Sequence, residues 1–284
     1  MKVRRAAVAI AAVSVGALGI PAAALAHGGG ADAVGLTSSG SALVRFDTES
    51  PEQATLGRVI RGLSGDTSLV GIDRRVQNGK LYGVSNSGGI YTLSTTTFRA
   101  IKVGQLTVAL NGTSFGVDFN PAANALRIVS NTGQNLRQPF GTTDGPTVAT
   151  VADGMLTYPA TPTAPATTPA GITAAAYTNN DLDATTATTL FDIDTAVDQV
   201  VIQSPANAGT VVATGKLGVD AGPNTGFDIY SELENGKPVS VAGYAVITVG
   251  TTSGFYAVNL LTGEAEAQGQ FRSGVQDIAL DLDR

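Results

Sequence analysis

From Val34 onward the chain consists of short apolar runs, of roughly 4–8 residues, separated by Gly, Asn or Asp. Val84, Ile90 and Leu93 typify their β-branched and aliphatic content. No stretch sustains an apolar stripe at helical spacing, so the pattern predicts many strands and very little helix.

The runs repeat. GIDRRVQNGKLYGVSNSGGIYTL (71–93) lies over GVDFNPAANALRIVSNTGQNLRQ (116–138) without a gap. Both open on an apolar-Asp pair, then pass through a turn, an apolar strand, a Ser-Asn-x-Gly turn and a further strand. Weaker copies follow. ITAAAYTNN (172–180) precedes TTLFDIDTA (188–196), and GFDIYSE (226–232) precedes YAVITVG (244–250) and GFYAVNLLTG (254–263). VQDIALDLD (275–283) matches only the first strand of a unit. The openings, near 71, 116, 174, 226 and 275, stand roughly 45–58 residues apart, a spacing with about four strands per unit that marks β-propeller blades.

The fold class expected is therefore an all-β propeller of five blades. Residues 33–60 look like the later strands of a unit whose first strand is 275–283, so pairing the two ends completes a blade and leaves no open sheet edge. Six blades are the alternative, with a divergent copy inside 140–225. A right-handed β-solenoid fits less well, because the unit is long and the ends complement each other. The Pro/Thr/Ala-rich stretch TYPATPTAPATTPAGIT (157–173) reads as a surface loop inside one domain rather than a linker, since recognisable repeats flank it.

The first residues have a different character. Lys2, Arg4 and Arg5 precede an apolar run from Ala6 to Ile20, and Ala24-Leu25-Ala26 forms a small-x-small cleavage pattern. Residues 1–26 are read as a signal peptide, too short for a membrane span, with export by the general route and a secreted product beginning at His27. Residues 27–32 form a flexible start and 33–284 the propeller. The remaining chain of about 258 residues is long enough to bury a core without staples. It has no Cys, which excludes disulfides and thiolate chemistry. Its single histidine, His27, excludes His-dependent triads and His-rich zinc sites. An N-terminal His can chelate copper, but the two-His brace of copper mono-oxygenases is absent, so His27 is read as part of a flexible tail.

Without Lys2, Arg4 and Arg5 the formal charge of −6 becomes −9, and no run of Lys and Arg remains. That excludes nucleic acid as a partner and argues against anionic lipid. Partners are expected outside the cell: a protein, a peptide or a glycan. Asn111-Gly112-Thr113 fits a glycosylation sequon but lacks the eukaryotic setting it needs.

Two residue sets carry candidate chemistry. Asp73, Asp118, Asp228 and Asp277 hold equivalent places in the opening strands, with Ala176 at the fifth. Carboxylates converging on the axis suit a hard cation such as calcium, or the catalytic ion of a propeller hydrolase. The structural reading is that each accepts a backbone N–H from the next blade. The second set is Gln134, Asn135 and Arg137, which replace Gly89, Ile90 and Thr92 of the other copy. Amides beside a guanidinium can grip a carboxylate, a sugar or a peptide carbonyl, or form a contact between blades, with Asp118 or another axial Asp as the partner of Arg137. Paired-carboxylate glycosidase chemistry is weakened by the absence of Trp platforms.

The runs GVDFNP (116–121), LRIVSNTGQNLR (126–137), DGMLTY (153–158), GITAAAYTN (171–179), TTLFDID (188–194) and QSPANAGTVVATGKLGVD (203–220) follow in order. With FDI (227–229) they resemble the secreted bacterial family catalogued as domain of unknown function 4394, over roughly residues 33–283. The resemblance implies an exported, propeller-like repeat domain and brings no activity, cofactor or catalytic residue. Two departures stand out: Pro205-Ala206-Asn207 has one proline where two are expected, implying a looser turn, and the 157–173 loop is longer and richer in proline. The function expected is extracellular binding or scaffolding. The alternative is a metal-assisted hydrolase with its ion among Asp73, Asp118, Asp228 and Asp277.

Overall fold

A computed structural model describes residues 30–283. The signal-peptide reading of residues 1–26 and the tail reading of His27 lie outside these. Twenty strands form five antiparallel four-stranded sheets. β1 (Asp32–Thr37), β2 (Ala42–Asp47) and β3 (Arg58–Val59) belong to blade 1. Blade 2 is β4 (Leu69–Arg74), β5 (Leu81–Ser85), β6 (Gly89–Leu93) and β7 (Ala100–Gln105). Blade 3 is β8 (Phe115–Asn120), β9 (Ala125–Ser130), β10 (Asn135–Pro139) and β11 (Val151–Ala152). Blade 4 is β12 (Ile172–Tyr177), β13 (Leu190–Asp194), β14 (Gln199–Gln203) and β15 (Val211–Lys216). Blade 5 is β16 (Thr225–Glu234), β17 (Lys237–Val249), β18 (Thr252–Val258) and β19 (Ala265–Gln270).

The last strand, β20 (Val275–Leu280), returns to blade 1 and pairs antiparallel with β1, Gly35 opposite Ile278. The expected closure and blade count are thus both met. β4, β8, β12, β16 and β20 are the first strands of their blades and contact one another in a ring around the axis.

The repeated motif has a mechanical explanation. In both strong copies the Ser-Asn-x-Gly turn carries Gly at φ near +82, Gly88 (φ 81) and Gly133 (φ 82), where other residues are strained. Its Asn reaches back to hold the segment leading into the inner strand. Asn86 Oδ1 accepts the N–H groups of Thr67 (3.2 Å) and Ser68 (3.3 Å). Asn131 Oδ1 accepts those of Thr113 (3.0 Å) and Ser114 (3.4 Å). One turn therefore fixes both the second hairpin and the start of its blade.

Each blade buries both faces, because alternate side chains of a strand point to opposite neighbours. The core is accordingly divided into five clusters, one between each pair of blades. Leu36 and Leu43 meet Ile72 and Tyr91 between blades 1 and 2. Phe46, Phe255 and Phe271 form an edge-to-face group where blade 5 meets blade 1. This two-sided burial is why the strands read as continuous apolar runs.

Around the axis the strands approach backbone to backbone. A Cβ on Gly116 would lie 2.5 Å from the Ala175 nitrogen, and one on Gly226 would lie 2.4 Å from the Asp277 Cα. A Cβ on Gly71 would lie 2.5 Å from Val117 Cγ2. All three precede an axial Asp by two positions.

The 157–173 stretch is a loop only in part. Tyr158 bridges Thr167, Thr161 bridges Ala164, and Thr157 bridges Thr210 on the outer side of blade 4. Its last residues, Ile172 and Thr173, already belong to β12. The 205–207 turn, expected to be loose, is a short 3-10 segment (Ala206–Ala208) tied to blade 3 through Ala206 and Asn207.

Gly116→Ala should destabilise the fold by roughly 1–3 kcal/mol, since backbone rather than a flexible side chain opposes the added methyl. Urea unfolding midpoints of the variant and the parent check this.

Candidate functional site

The inner ring is built by a hand-to-hand contact. Asp73 Oδ2 on β4 accepts the N–H of Phe119 on β8 at 2.7 Å. Asp118 Oδ1 on β8 accepts that of Tyr177 on β12 at 3.0 Å. Asp228 Oδ2 on β16 accepts that of Leu280 on β20 at 2.6 Å. Asp277 Oδ2 on β20 accepts that of Ile72 on β4 at 2.7 Å. Each carboxylate therefore grips the backbone of the next blade. The fifth link is missing, because β12 carries Ala176 at this place. There Asn180 substitutes, its Nδ2 donating to the Ile229 carbonyl (3.1 Å) and its N–H to Ser231 Oγ (3.0 Å).

Three of these carboxylates also converge. Asp73, Asp118 and Asp228 each place one oxygen within 4.8 Å of the others. Asp277 stands outside this triad. All four are buried. Burial, reinforced by the neighbouring Asp charges, pushes the carboxyls of Asp73, Asp118 and Asp277 well above the usual range. Burial raises Asp228 to about 6, offset by the amides of Leu280 and Ile229 and by the charge of Arg74. The triad has the oxygen donors a hard cation takes, and protons do the same work of reducing like-charge repulsion.

Asn135 and Arg137 sit at the junction of blades 3 and 4, and Gln134 faces the loop between blades 2 and 3. All three bond to the protein itself. Gln134 accepts the Asn111 N–H (2.8 Å) and donates to the Ala109 carbonyl (2.8 Å), pinning that loop. Asn135 is buried, donating to the carbonyls of Gly154 (2.9 Å) and Ala206 (3.0 Å). The partner of Arg137 is Asp153, at 3.0 and 3.1 Å, and not Asp118 or another axial Asp. β11 brings Asp153 beside β10, closer than any inner strand can come.

The organising residue here, Arg127 on β9, was not singled out from sequence. Its guanidinium is buried and donates to Asn135 Oδ1 (2.7 Å), Asp153 Oδ2 (2.8 Å), Asn207 Oδ1 (2.7 Å) and the Tyr177 hydroxyl (3.2 Å). Arg127 and Arg137 face each other across the ladder, and Asp153 lies between them. Burial alone would raise Asp153; the two guanidiniums overcome it and hold its carboxyl below the usual range. The signal was present in the repeat: Arg127 replaces Tyr82 in the same copy where Asn135 replaces Ile90. Polar changes came together because they bond together. Nearby Asp192 is fully buried with no partner for either oxygen, and burial drives its carboxyl well up despite the Arg127 charge.

A second feature opens at the end of the axis where the inner strands begin. A cavity of about 340 Å³ is lined by residues such as Ser38, Asn86, Thr113, Thr173, Asn224 and Gln276 around Leu69, Val70 and Phe115. Among the described residues, no ionisable side chain lines it. Three inner strands carry a bulge here. Val70, Thr173 and Gln276 are the residues left out of the ladders of β4, β12 and β20. All three line the cavity. A bulge re-aims a side chain out of its sheet, which is what assembles this cup. Thr173 Oγ1 is buried without a hydrogen-bond partner. The close-approach glycines Gly71, Gly116 and Gly226, on β4, β8 and β16, each follow a lining residue (Val70, Phe115 and Thr225) by one position.

The family described as Domain of unknown function (DUF4394) matches residues 42–279. The chain belongs to the DUF4394 family. This DUF4394 chain has no match among curated proteins. Among solved structures it is similar to a Lactobacillus plantarum protein, structural genomics target LpR118, at 13% identity and a TM-score of 0.43. That alignment covers 88% of this chain and 99% of the other. It is also similar to TolB from Acinetobacter baumannii, at 12% identity and a TM-score of 0.43, covering 90% of this chain and 67% of TolB. No helix among the described residues is long and apolar enough to cross a membrane.

Two outcomes are expected of the DUF4394 site. A carboxyl raised in the native state keeps its proton after the unfolded chain has released it. Its stabilising contribution is complete below the ordinary range and is lost as pH rises through the native value. Stability should therefore fall from pH 5 to pH 8, by roughly 1–1.5 kcal/mol from Asp228 alone. Urea titrations across that range test it, and Asp228→Asn should flatten the slope. Second, Arg127→Met should cost about 1–3 kcal/mol, by taking a donor from the buried Asn135 Oδ1 and from the Tyr177 hydroxyl and leaving Asp153 with Arg137 alone. Arg137→Ala should cost about 1 kcal/mol or less, since its side chain is 29% exposed and Asp153 keeps Arg127. Denaturant midpoints of the two variants separate them.

Proposed function

We propose that this chain is an exported binding module whose ligand enters the axial cup, and that the axial carboxylates serve the ring rather than a reaction. The observation that carries the reading is the cup itself: three bulges turn Val70, Thr173 and Gln276 into a cavity lined by hydroxyls, amides and a few apolar groups. Without an ionisable lining group it has no general acid, general base or activated nucleophile to offer. Uncharged donors and acceptors beside Leu69 and Phe115 suit an uncharged ligand rich in hydroxyls, such as the end of a neutral glycan. Export rests on the N-terminal charge, apolar run and cleavage pattern.

The alternative, a hydrolase with a channel ion, is supported by the convergence of Asp73, Asp118 and Asp228. It is weakened because Asp73, Asp118 and Asp228 each already accept a backbone N–H. Calorimetric titration with neutral oligosaccharides, in the presence of a chelator, tests the proposal. Binding should persist in the chelator and weaken at least tenfold in Gln276→Ala and Asn224→Ala, with melting temperatures unchanged. A melting temperature that falls on chelation and recovers with calcium, with no oligosaccharide bound, would replace this reading by the channel ion.

A further inference from the structure

The absence of any Lys/Arg run in the sequence does not survive folding. Arg58 on β3, Arg61 just beyond it and Arg99 before β7 come together where the outer edges of blades 1 and 2 meet. Arg61 and Arg99 form a parallel bridge, the Arg61 N–H donating to the Phe98 carbonyl (2.9 Å) and the Ala100 N–H to the Arg61 carbonyl (2.7 Å). Directly bridged residues project to the same side of a sheet. A cavity of about 290 Å³ opens here, lined by Gly57, Arg58, Val59, Arg61, Thr97 and Phe98. The Arg58 guanidinium lies over the Phe98 ring, 5.2 Å from its centre.

Two features of this pocket are anomalous for a merely structural surface. First, the charges are left uncompensated. The ion pairs among the described residues engage Arg74, Lys80, Lys102, Arg127 and Arg137, and none engages Arg58, Arg61 or Arg99. In a chain of formal charge −6, two arginines lining one cavity and a third bridged to one of them through the backbone, with no carboxylate paired to any, are a departure. Second, the ring under Arg58 is held in a strained place. Phe98 has φ 58, in the left-handed region. The matching hairpin of blade 5, between β18 and β19, uses Gly263 (φ 78), and the other non-Gly residues of positive φ among the described residues are Asn124, Asn179, Asp198 and Asn235, residue types that tolerate it. A bulky aromatic at such a position breaks a local rule the rest of the chain obeys, and such violations concentrate at functional sites.

We infer that Arg58, Arg61 and Phe98, with Arg99 beside them, form a receptor for a doubly charged oxyanion, a phosphate or sulfate ester, carried on an apolar body. Guanidinium forks match the oxygens of such a group two at a time. Phe98 and the exposed Val59, which both line the cavity, offer contact to the apolar part. The site is distinct from the axial cup, and neither depends on the other.

Phenyl phosphate, inorganic phosphate and phosphatidate-containing vesicles are the probes, each titrated against the full chain at low and high salt. Phenyl phosphate should bind saturably, more tightly than inorganic phosphate, and weaken as salt rises. Arg58→Gln and Arg61→Gln should each lower its affinity at least tenfold with an unchanged melting temperature, while Arg272→Gln, an exposed arginine on blade 5, should leave it as it is. Phe98→Asn, a residue type that tolerates the left-handed backbone found here, should keep the fold and lose the preference for phenyl over inorganic phosphate. Binding of phenyl phosphate without vesicles assigns the group to a soluble ester, and binding of both assigns it to a lipid headgroup. No saturable binding of either probe, or binding equal in the Arg58→Gln and Arg61→Gln variants, overturns the inference.

Discussion

Five strands meeting around one axis must approach backbone to backbone, and that closeness governs everything else in the molecule. It excludes side chains from one layer, which is why glycine recurs two positions before the axial Asp. It also brings backbone donors of one inner strand within reach of a short side chain on the next. Aspartate has the length for that span and glutamate would overshoot it. The glycine and the aspartate are thus two parts of one solution, and the Gly-x-Asp signature is its trace in the sequence.

Such a solution places like charges near one another in a water-poor layer, and the protein manages charge differently at each level. At the axis the amides of the next blade and a shift toward the protonated form moderate the carboxylates. Between blades 3 and 4 one carboxylate, Asp153, is set between two guanidiniums, and amides absorb the remaining donors. At the outer edge Arg58, Arg61 and Arg99 have neither arrangement, which is what distinguishes that surface from the rest.

Blade number, closure and the placement of the four axial Asp residues were legible in the sequence, because each depends on local period and on a residue type recurring at one offset. The structural reading of those Asp residues was legible for the same reason. The convergence of three of them was not, since it depends on how far each inner strand is turned about the axis. Gln134, Asn135 and Arg137 stood out as a break in the repeat, and their neighbours did not. Arg127 lay inside an otherwise apolar strand, and Asp153 reached it from a two-residue strand too short to leave a pattern. The cup was hidden for another reason. A bulge is a difference of one residue in register between two strands, and a single sequence read strand by strand carries no trace of it. The arginine group comes from segments nearly forty positions apart, joined by one bridge.

The pairing of β1 with β20 has a temporal side as well. A contact such as that between Ile72 and Asp277 spans 205 positions of chain, so the ring cannot be complete until almost all of the polypeptide is available. Blades made earlier hold apolar faces with no neighbour to cover them on one side. Folding of this kind is dominated by distant contacts and is slow, and its partly built forms expose surface that invites misassembly. The final strand is therefore a checkpoint: a chain that lacks it is an open ring, vulnerable to proteases, and a chain that has it is sealed.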